Sequence, residues 1–324
     1  MNGREMVDGR AGKLREMFKR PWVGPLCALI FVYGVFAAML PDTFLGGLAL
    51  QLMVRQTVVV ALCSVGMTLV IALGGIDLSV GSIVALVTVV IAHQLKAGRD
   101  ASIAVMLGVL VGAACGLVNG ALTSLLRITP FIVTLGTMSV LRGLAKGLAN
   151  EQKIDVDAAG LDGLMAMSPG VNPFPVGVWA TAALAGLGAV LLARSRFGRH
   201  LLASGSNEAA ARLAGISYGK VTLITYTLLG LLAGVAGVME FSRLTVGDPT
   251  DSIGLELSVI AAVVIGGGSL SGGQGSVMGS MFGAMLMTVI ATGATYLGVA
   301  NWIQQILTGV IIVTAVSLDR FRRP

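Results

Sequence analysis

The sequence predicts an all-α polytopic membrane protein of about ten transmembrane helices, with both termini cytoplasmic. Three observations carry this. Hydrophobic residues make up 55% of the chain and charged residues 12%, about half the charge of an ordinary soluble domain. Mean hydropathy is +0.89, and apolar runs recur along nearly the whole 324-residue length, which excludes a soluble enzyme, a disordered protein and a single-anchor receptor. Lys and Arg also partition unevenly between alternate loops. Ten helices of about 20 residues consume roughly 200 residues. The remainder is a basic tail, loops and one segment of about 25 residues, short of the roughly 50 an independent domain needs. Soluble catalytic machinery must therefore sit on another polypeptide.

Residues 1–21 form a basic tail containing Arg4, Arg10, Lys13, Arg15, Lys19 and Arg20. It lacks a small-residue cleavage site after the following apolar run and does not read as a cleaved signal peptide. Residues 22–318 form one transmembrane domain, with spans at about 22–40, 49–73, 79–95, 102–124, 130–149, 175–193, 218–240, 255–268, 276–297 and 300–318. The eighth is short. Residues 319–324 are a C-terminal tail. A cytoplasmic N-terminus places fifteen of the twenty-two Lys and Arg inside, namely the six tail cations with Arg127, Arg194, Arg196, Arg199, Arg212, Lys220, Arg320, Arg322 and Arg323. Most acids, including Glu151, Asp155, Asp157, Asp162, Asp248 and Asp251, fall outside. That cation bias sets the orientation, and the basic C-terminus independently calls for an even span count. It also explains the net charge of +6 better than a nucleic-acid partner does.

Several joints between spans are legible. Gly108, Gly112, Gly116 and Gly120, and Gly230, Gly234 and Gly237, fall about one turn apart, the spacing that lets helix backbones approach where lipid supplies no hydrophobic drive. Thr129-Pro130 reads as N-cap and first helical residue of the fifth span. Asn172-Pro173-Phe174-Pro175 closes an outer segment of about 150–174. Cys27, Cys63 and Cys115 lie inside apolar runs with no Cys-x-x-Cys and no nearby His, and read as small buried hydrophobes. His93 and His200 fall at span ends and read as solvated. No metal or cofactor is expected.

Three stretches could carry function. In Gly74-Gly75-Ile76-Asp77-Leu78-Ser79-Val80-Gly81-Ser82, an acid sits between apolar runs, where charge at mid-span costs about 2.5–3.5 kcal/mol. Either Asp77 or Ser79 caps the third span, or the segment is a broken helix lining a polar path. Proton coupling through Asp77 is disfavoured, because no second intramembrane acid accompanies it. Next, the 205–215 stretch reads as a cytoplasmic helix of about eight residues. Ser206 or Asn207 would cap it, Glu208 sits in its first turn, and Gly215 suits a left-handed stop. It is either a plain connector or a transmitter seated in a partner's groove. Finally, Leu270-Ser271-Gly272-Gly273-Gln274 spells the signature peptide of ABC-type ATPases between two apolar spans. No phosphate loop accompanies it, since Gly219-Lys220 is followed by valine, so it reads as a tight glycine turn. Polar residues inside spans are few, among them Asn119, Thr134, Ser139, Asn301, Gln304 and Gln305. The lack of a charged relay favours a neutral, hydroxyl-bearing solute moved without ion coupling. An ion-coupled secondary carrier for a small neutral solute is the competing reading.

Four motifs occur together: GGIDLSVGS at 74–82, TPFIVTLGTMSVLRGLA at 129–145, GSNEAAARLAGI at 205–216 and ELSVIAAVVIGGGSLSGGQGSVMGSMFGA at 256–284. In order and spacing they resemble the ribose-type sugar permeases of bacterial ABC importers, related to the branched-chain amino acid permeases. The resemblance covers about residues 25–318. It implies a type II-like importer permease of the bacterial inner membrane, carrying a monosaccharide, with no ATPase site of its own. Its implied partners are a second permease copy or paralogue, a cytoplasmic ABC ATPase with two fused nucleotide-binding halves, and a periplasmic sugar-binding protein. The coupling-helix role carries to Gly205, Ser206, Asn207, Glu208, Ala209, Arg212 and Gly215. Asp77, Ser79 and Asn119 match positions near the translocation path, with Thr134 and Ser139 added from the second motif.

Overall fold

The computed structural model describes residues 21–167 and 173–321. The six tail cations, Asn172, Arg322 and Arg323 lie outside the described residues. In chain order the helices are α1 (Val23–Met39), α2 (Pro41–Phe44), α3 (Gly47–Ala72), α4 (Val80–Lys96), α5 (Ala101–Leu125), α6 (Pro130–Leu148), α7 (Val176–Arg194), α8 (Arg196–Ser206), α9 (Glu208–Leu213), α10 (Tyr218–Leu244), α11 (Leu255–Ile265), α12 (Val277–Tyr296) and α13 (Asn301–Phe321). Ten of these match the ten expected spans to within a few residues. Six are long and apolar enough to cross a bilayer unaided (α3, α5, α6, α7, α10 and α12), and α1, α4, α11 and the apolar part of α13 are shorter. The chain is a polytopic helical membrane protein.

Burial sorts the helices into an inner group and a rim. The apolar windows of α3 and α10 are 78% and 67% buried, whereas those of α5, α6 and α7 are 22%, 17% and 28% buried. α4 is buried along almost its whole length at the centre. Glycines set the spacing between α5 and α10. A Cβ on Gly112 would lie 2.6 Å from both the Gly230 carbonyl and the Gly234 Cα, and one on Gly230 would lie 2.7 Å from the Gly116 Cα. Both helices therefore touch backbone to backbone, as the one-turn glycine spacing predicts. At the edge, Phe36 of α1 stacks on Phe44 of α2 with centroids 5.4 Å apart, and the Tyr33 hydroxyl donates to the Phe44 carbonyl at 2.6 Å.

The connections differ in places from the sequence reading. Pro130 is the first residue of α6 as expected, but the Thr129 side chain makes no capping bond. Cys63 is buried, Cys115 is half-buried and Cys27 is exposed, so the reading of all three cysteines as buried holds in full only at Cys63. His93 and His200 are both exposed. Two short strands escaped the sequence reading: β1 (Ile154–Asp155) and β2 (Val246–Gly247) pair antiparallel, joining the 150–174 segment to the α10–α11 loop. Lys153 bridges to Asp248 at 2.9 Å beside this ribbon, and Arg142 of α6 donates to the carbonyls of Pro249 and Asp251 at 2.9 and 2.7 Å. This ribbon end of the bundle lies opposite the end where α8 and α9 sit.

The eighth span is half a helix. Eleven residues rise about 16 Å, roughly half of a 30 Å hydrocarbon core. α11 enters from the ribbon end and stops at Gly266, and residues 266–276 continue as turns. Irregular backbone at membrane depth survives only where protein satisfies it. Here the Gly273 N–H donates to the Ala72 carbonyl at 2.8 Å, so the turn closes the end of α3.

Candidate functional site

The α3–α4 connection is the second irregular segment. Asp77, Ser79 and Asn119 are all 0% exposed. Asp77 Oδ1 accepts from the Ser79 N–H at 2.7 Å and from the Ser79 hydroxyl at 2.6 Å. The Asn119 amide donates to Asp77 Oδ2 at 3.2 Å and to Ser79 Oγ at 2.9 Å. Ser79 occupies the N-cap position of α4, but its side chain makes no capping bond. Of the two open readings of Asp77, the geometry therefore matches neither in full: the carboxylate closes an Asx-type turn and pins α5 to it. Thr134 of α6 joins the knot by donating to the Ile76 carbonyl at 3.1 Å. Ser139 does not. It is exposed on α6 and reaches only its own helix, at the Leu135 carbonyl 3.5 Å away.

Sequence reasoning missed Tyr226 here. It is fully buried on α10, and a Cβ on Gly75 would lie 2.5 Å from its hydroxyl. Glycine at 75 is what admits the phenol. The Tyr226 hydroxyl and Asn119 Oδ1 have no hydrogen-bond partner among the described residues. Four of the five expected path residues thus form one enclosed knot among α4, α5, α6 and the 73–79 turn, with no open wall.

At the opposite end from the ribbon, the expected eight-residue coupling helix is two helices. Ser195 caps α8 by accepting from the Gly198 N–H at 2.9 Å, and Asn207 caps α9 by accepting from the Ala210 N–H at 3.0 Å. The chain breaks at Asn207, which is extended (φ −156°, ψ 101°). Gly205 and Ser206 therefore belong to α8, correcting their assignment to the coupling helix. Gly205 is a packing position: a Cβ there would lie 2.8 Å from the Gly273 nitrogen and would overlap the Ala72 carbonyl. The six residues of α9 are displayed outward. Glu208 and Arg212 pair at 2.6 Å with both side chains about half exposed, Arg212 lies 5.5 Å over the Tyr218 ring, and Leu213 is 92% exposed. Gly215 has the left-handed φ of +81° expected of a stop.

The Leu270–Gln274 segment is the glycine turn the sequence predicts. Gly272 and Gly273 both hold positive φ, +83° and +76°, and a Cβ on Gly272 would sit 3.0 Å from the Gly205 carbonyl carbon and 3.1 Å from the Gly74 Cα. Three glycine-bearing segments (74–75, 205 and 272–273) meet at one node, which joins α8 to both broken elements.

Near the ribbon end a cleft of about 620 Å³ opens between α3, α10, the start of α11 and α13. Glu240 and Arg243 of α10 form its charged wall, joined by two hydrogen bonds, Arg243 Nε to Glu240 Oε2 at 2.9 Å and Nη2 to Oε1. Glu240 is 2% exposed. The expectation that Asp77 has no second intramembrane acid is thereby corrected. The sequence reading ended the seventh span at 240, whereas α10 runs one more turn to Leu244 and carries the pair inside the bundle. The i, i+3 spacing of Glu240 and Arg243 was the available signal.

With this geometry in view, residues 49–316 match the family described as branched-chain amino acid transport system / permease component. The chain is 37% identical to the ribose import permease protein RbsC of Escherichia coli strain K12, over 94% of this chain and 96% of that protein. It is 35% identical to the L-arabinose ABC transporter permease protein AraH of Azospirillum brasilense (93% and 88% covered) and 34% identical to the fructose import permease protein FrcC of Rhizobium meliloti (94% and 86%). No solved structure matches.

Proposed function

The chain belongs to the branched-chain amino acid transport system permease family, and from that premise we propose that it forms the translocation path of a binding-protein-dependent ABC importer for a monosaccharide, in the bacterial inner membrane. The relatives named for ribose, arabinose and fructose support a pentose or hexose as the solute. The observation that carries the mechanism is α9. A six-residue helix is too short to be stable alone in water, yet it holds a cap, an internal ion pair and an almost fully exposed leucine. A surface of that kind suits insertion into a groove on another protein.

In this reading residues 1–21 and 319–324 are cytoplasmic tails flanking one permease domain, 22–318. A cytoplasmic ATPase with two fused nucleotide-binding halves grips α9 through Asn207, Glu208, Ala209, Arg212 and Leu213, with Gly215 ending the helix. A loaded sugar-binding protein docks at the ribbon end, and a second permease copy or paralogue completes the path. ATP closes the partner, α8 and α9 move with it, and the contacts at Gly205 carry that displacement to the ends of α3 and α11. The Asp77 knot, with Ser79, Asn119 and Thr134, stiffens the part of the path that rocks; Ser139 faces out from α6 toward lipid or the second copy. Free energy enters through the ATPase.

Proline at 212 removes a helical N–H and clashes with the preceding turn, at about 3 kcal/mol or more in a helix interior, whereas 208 is the first residue of α9, where proline is tolerated. Arg212→Pro is expected to abolish solute-stimulated ATP hydrolysis in the assembled complex while the permease still inserts and purifies. Undiminished stimulation removes α9 from the coupling role. Uphill accumulation by the permease alone in liposomes overturns the importer reading in favour of a secondary carrier.

A further inference from the structure

The knot around Asp77 is closed, so a solute arriving at the ribbon end meets a different set of side chains. On α13, Asn301, Gln304, Gln305 and Thr308 recur at i, i+3, i+4 and i+7, the spacing of a single helix face. All four line the 620 Å³ cleft, together with the Glu240–Arg243 pair, Gln56 of α3 and Ser258 of α11. A polar stripe on a transmembrane helix needs a purpose, since apolar residues there cost less. Part of it is structural: the Gln304 amide donates to the Val299 carbonyl at 2.9 Å and to the Thr295 hydroxyl at 3.3 Å, the Thr308 hydroxyl donates to the Gln304 carbonyl at 2.9 Å, and Gln56 accepts from Thr292 at 2.9 Å. The rest faces the cleft.

We infer that this cleft is the receiving site for the solute, and that it takes an uncharged polyhydroxylated molecule of monosaccharide size. The inference rests on the importer reading above and adds the place and chemistry of first contact. The volume falls within the roughly 300–1,000 Å³ of small-molecule sites. Primary amides both donate and accept, so they match hydroxyls in any orientation. Arg243 spends two of its five N–H donors on Glu240 and leaves the others at the wall. Three carboxylates (Glu240, Asp251 and Glu256) line the cleft against one guanidinium, which disfavours anions such as sugar phosphates. Among the described residues no aromatic ring lines it for a sugar to stack on. Hydrogen bonds alone hold the solute loosely, which a site that must pass its cargo onward requires.

The test uses the full complex of permease, ATPase and binding protein. Gln305→Cys, placed in a Cys27→Ser background, is labelled with a water-soluble thiol reagent while D-ribose, L-arabinose, D-fructose or their phosphates are present at high concentration without binding protein. Labelling is expected to slow several-fold with whichever sugar the wild-type complex imports, and not with its phosphate. In parallel, Asn301→Ala is expected to cut import about fivefold, the equivalent of one lost neutral hydrogen bond. Ser258→Phe, which fills the cleft, is expected to cut it further. Unprotected labelling together with wild-type import in both variants overturns the assignment, as does equal protection by the phosphate or by binding protein without sugar. A wild-type complex that imports none of the three sugars sinks the sugar reading itself, and this assignment with it.

Discussion

The two ends of the bundle are built from different materials. At the α9 end, the turns at 74–75 and 272–273 meet Gly205 through backbone atoms, and the neighbouring Asp77 knot is closed by short side chains with complete burial. At the ribbon end, long side chains carry the contacts: Arg243 pairs with Glu240 on its own helix at the cleft, Gln304 reaches back to Val299, and Lys153 bridges to Asp248 over exposed loops. Backbone contact has no slack, so a displacement applied at one segment must be passed to the next. Long polar side chains can re-pair as a solute or partner arrives. The contrast teaches that the force-bearing end must be rigid and the receiving end adaptable.

The largest effect belongs to Gly205. A single methyl there overlaps the Ala72 carbonyl, and overpacking of a tight core typically costs about 1–3 kcal/mol. Valine, with two further carbons against immobile backbone, is expected to prevent recovery of folded permease, read as loss of the monodisperse peak in detergent. Gly186→Val is the control, since nothing lies within 4 Å of a Cβ at that exposed α7 position. Equal recovery of the two variants breaks the claim that the α9 end is a backbone-to-backbone node.

Asp77 comes next. Asp77→Ala strands the Ser79 N–H, the Ser79 hydroxyl and one Asn119 N–H in a site with no exposure. Each unmet buried donor costs about 1–3 kcal/mol, and with partial relaxation the sum is about 3–5 kcal/mol. Asp77→Asn keeps an acceptor for Ser79 but turns an amide toward the Asn119 amide, so it should recover part of that loss. The measurement is the thermal unfolding midpoint in detergent, in the order wild type, Asn, Ala. If Ala is as stable as wild type, the knot is not a structural fastening.

Much of this contrast was legible in the sequence, and the illegible parts have physical reasons. Span positions were readable because hydrocarbon thickness dictates the length of each apolar run, and the glycine rows on α5 and α10 were readable because close approach needs small residues one turn apart. The break at Asn207 was not, because Gly205 and Ser206 fit a helix start as well as a helix end; what decides is that Gly205 must press on Ala72, a tertiary contact. Glu240 was overlooked because hydropathy stops counting at the first charge, while the helix continues when Arg243 one turn on satisfies it. Tyr226 carries no local signal, since nothing near it in the sequence says that its hydroxyl meets Gly75. Ser139 entered the candidate path by belonging to the same motif as Thr134, yet the two lie on different faces of α6.

The smallest effect tests the adaptable end. Burial pushes the Asp248 carboxyl up, but the Thr250 hydroxyl, the Lys153 ammonium and the Thr250 N–H outweigh it and hold the group below the usual aspartate range. The hydrogen bond to Asp248 and its charge in turn raise the Lys153 ammonium. A depressed acid stabilises above its unfolded value and loses that contribution as pH falls through the folded one; a raised base stabilises below its unfolded value and loses it as pH rises. The fastening of the ribbon should therefore be complete across neutral pH and fade at both extremes. Lys153→Met removes only the exposed half, because Thr250 still donates to Asp248 from its N–H at 2.8 Å and its hydroxyl at 2.7 Å. The expected result is an unchanged unfolding midpoint, with slightly faster proteolysis between residues 156 and 167 at low salt and no difference from wild type at high salt, where the exposed pair is screened. A large drop in midpoint would place the ribbon end among the rigid parts of the molecule and erase the contrast between the two ends.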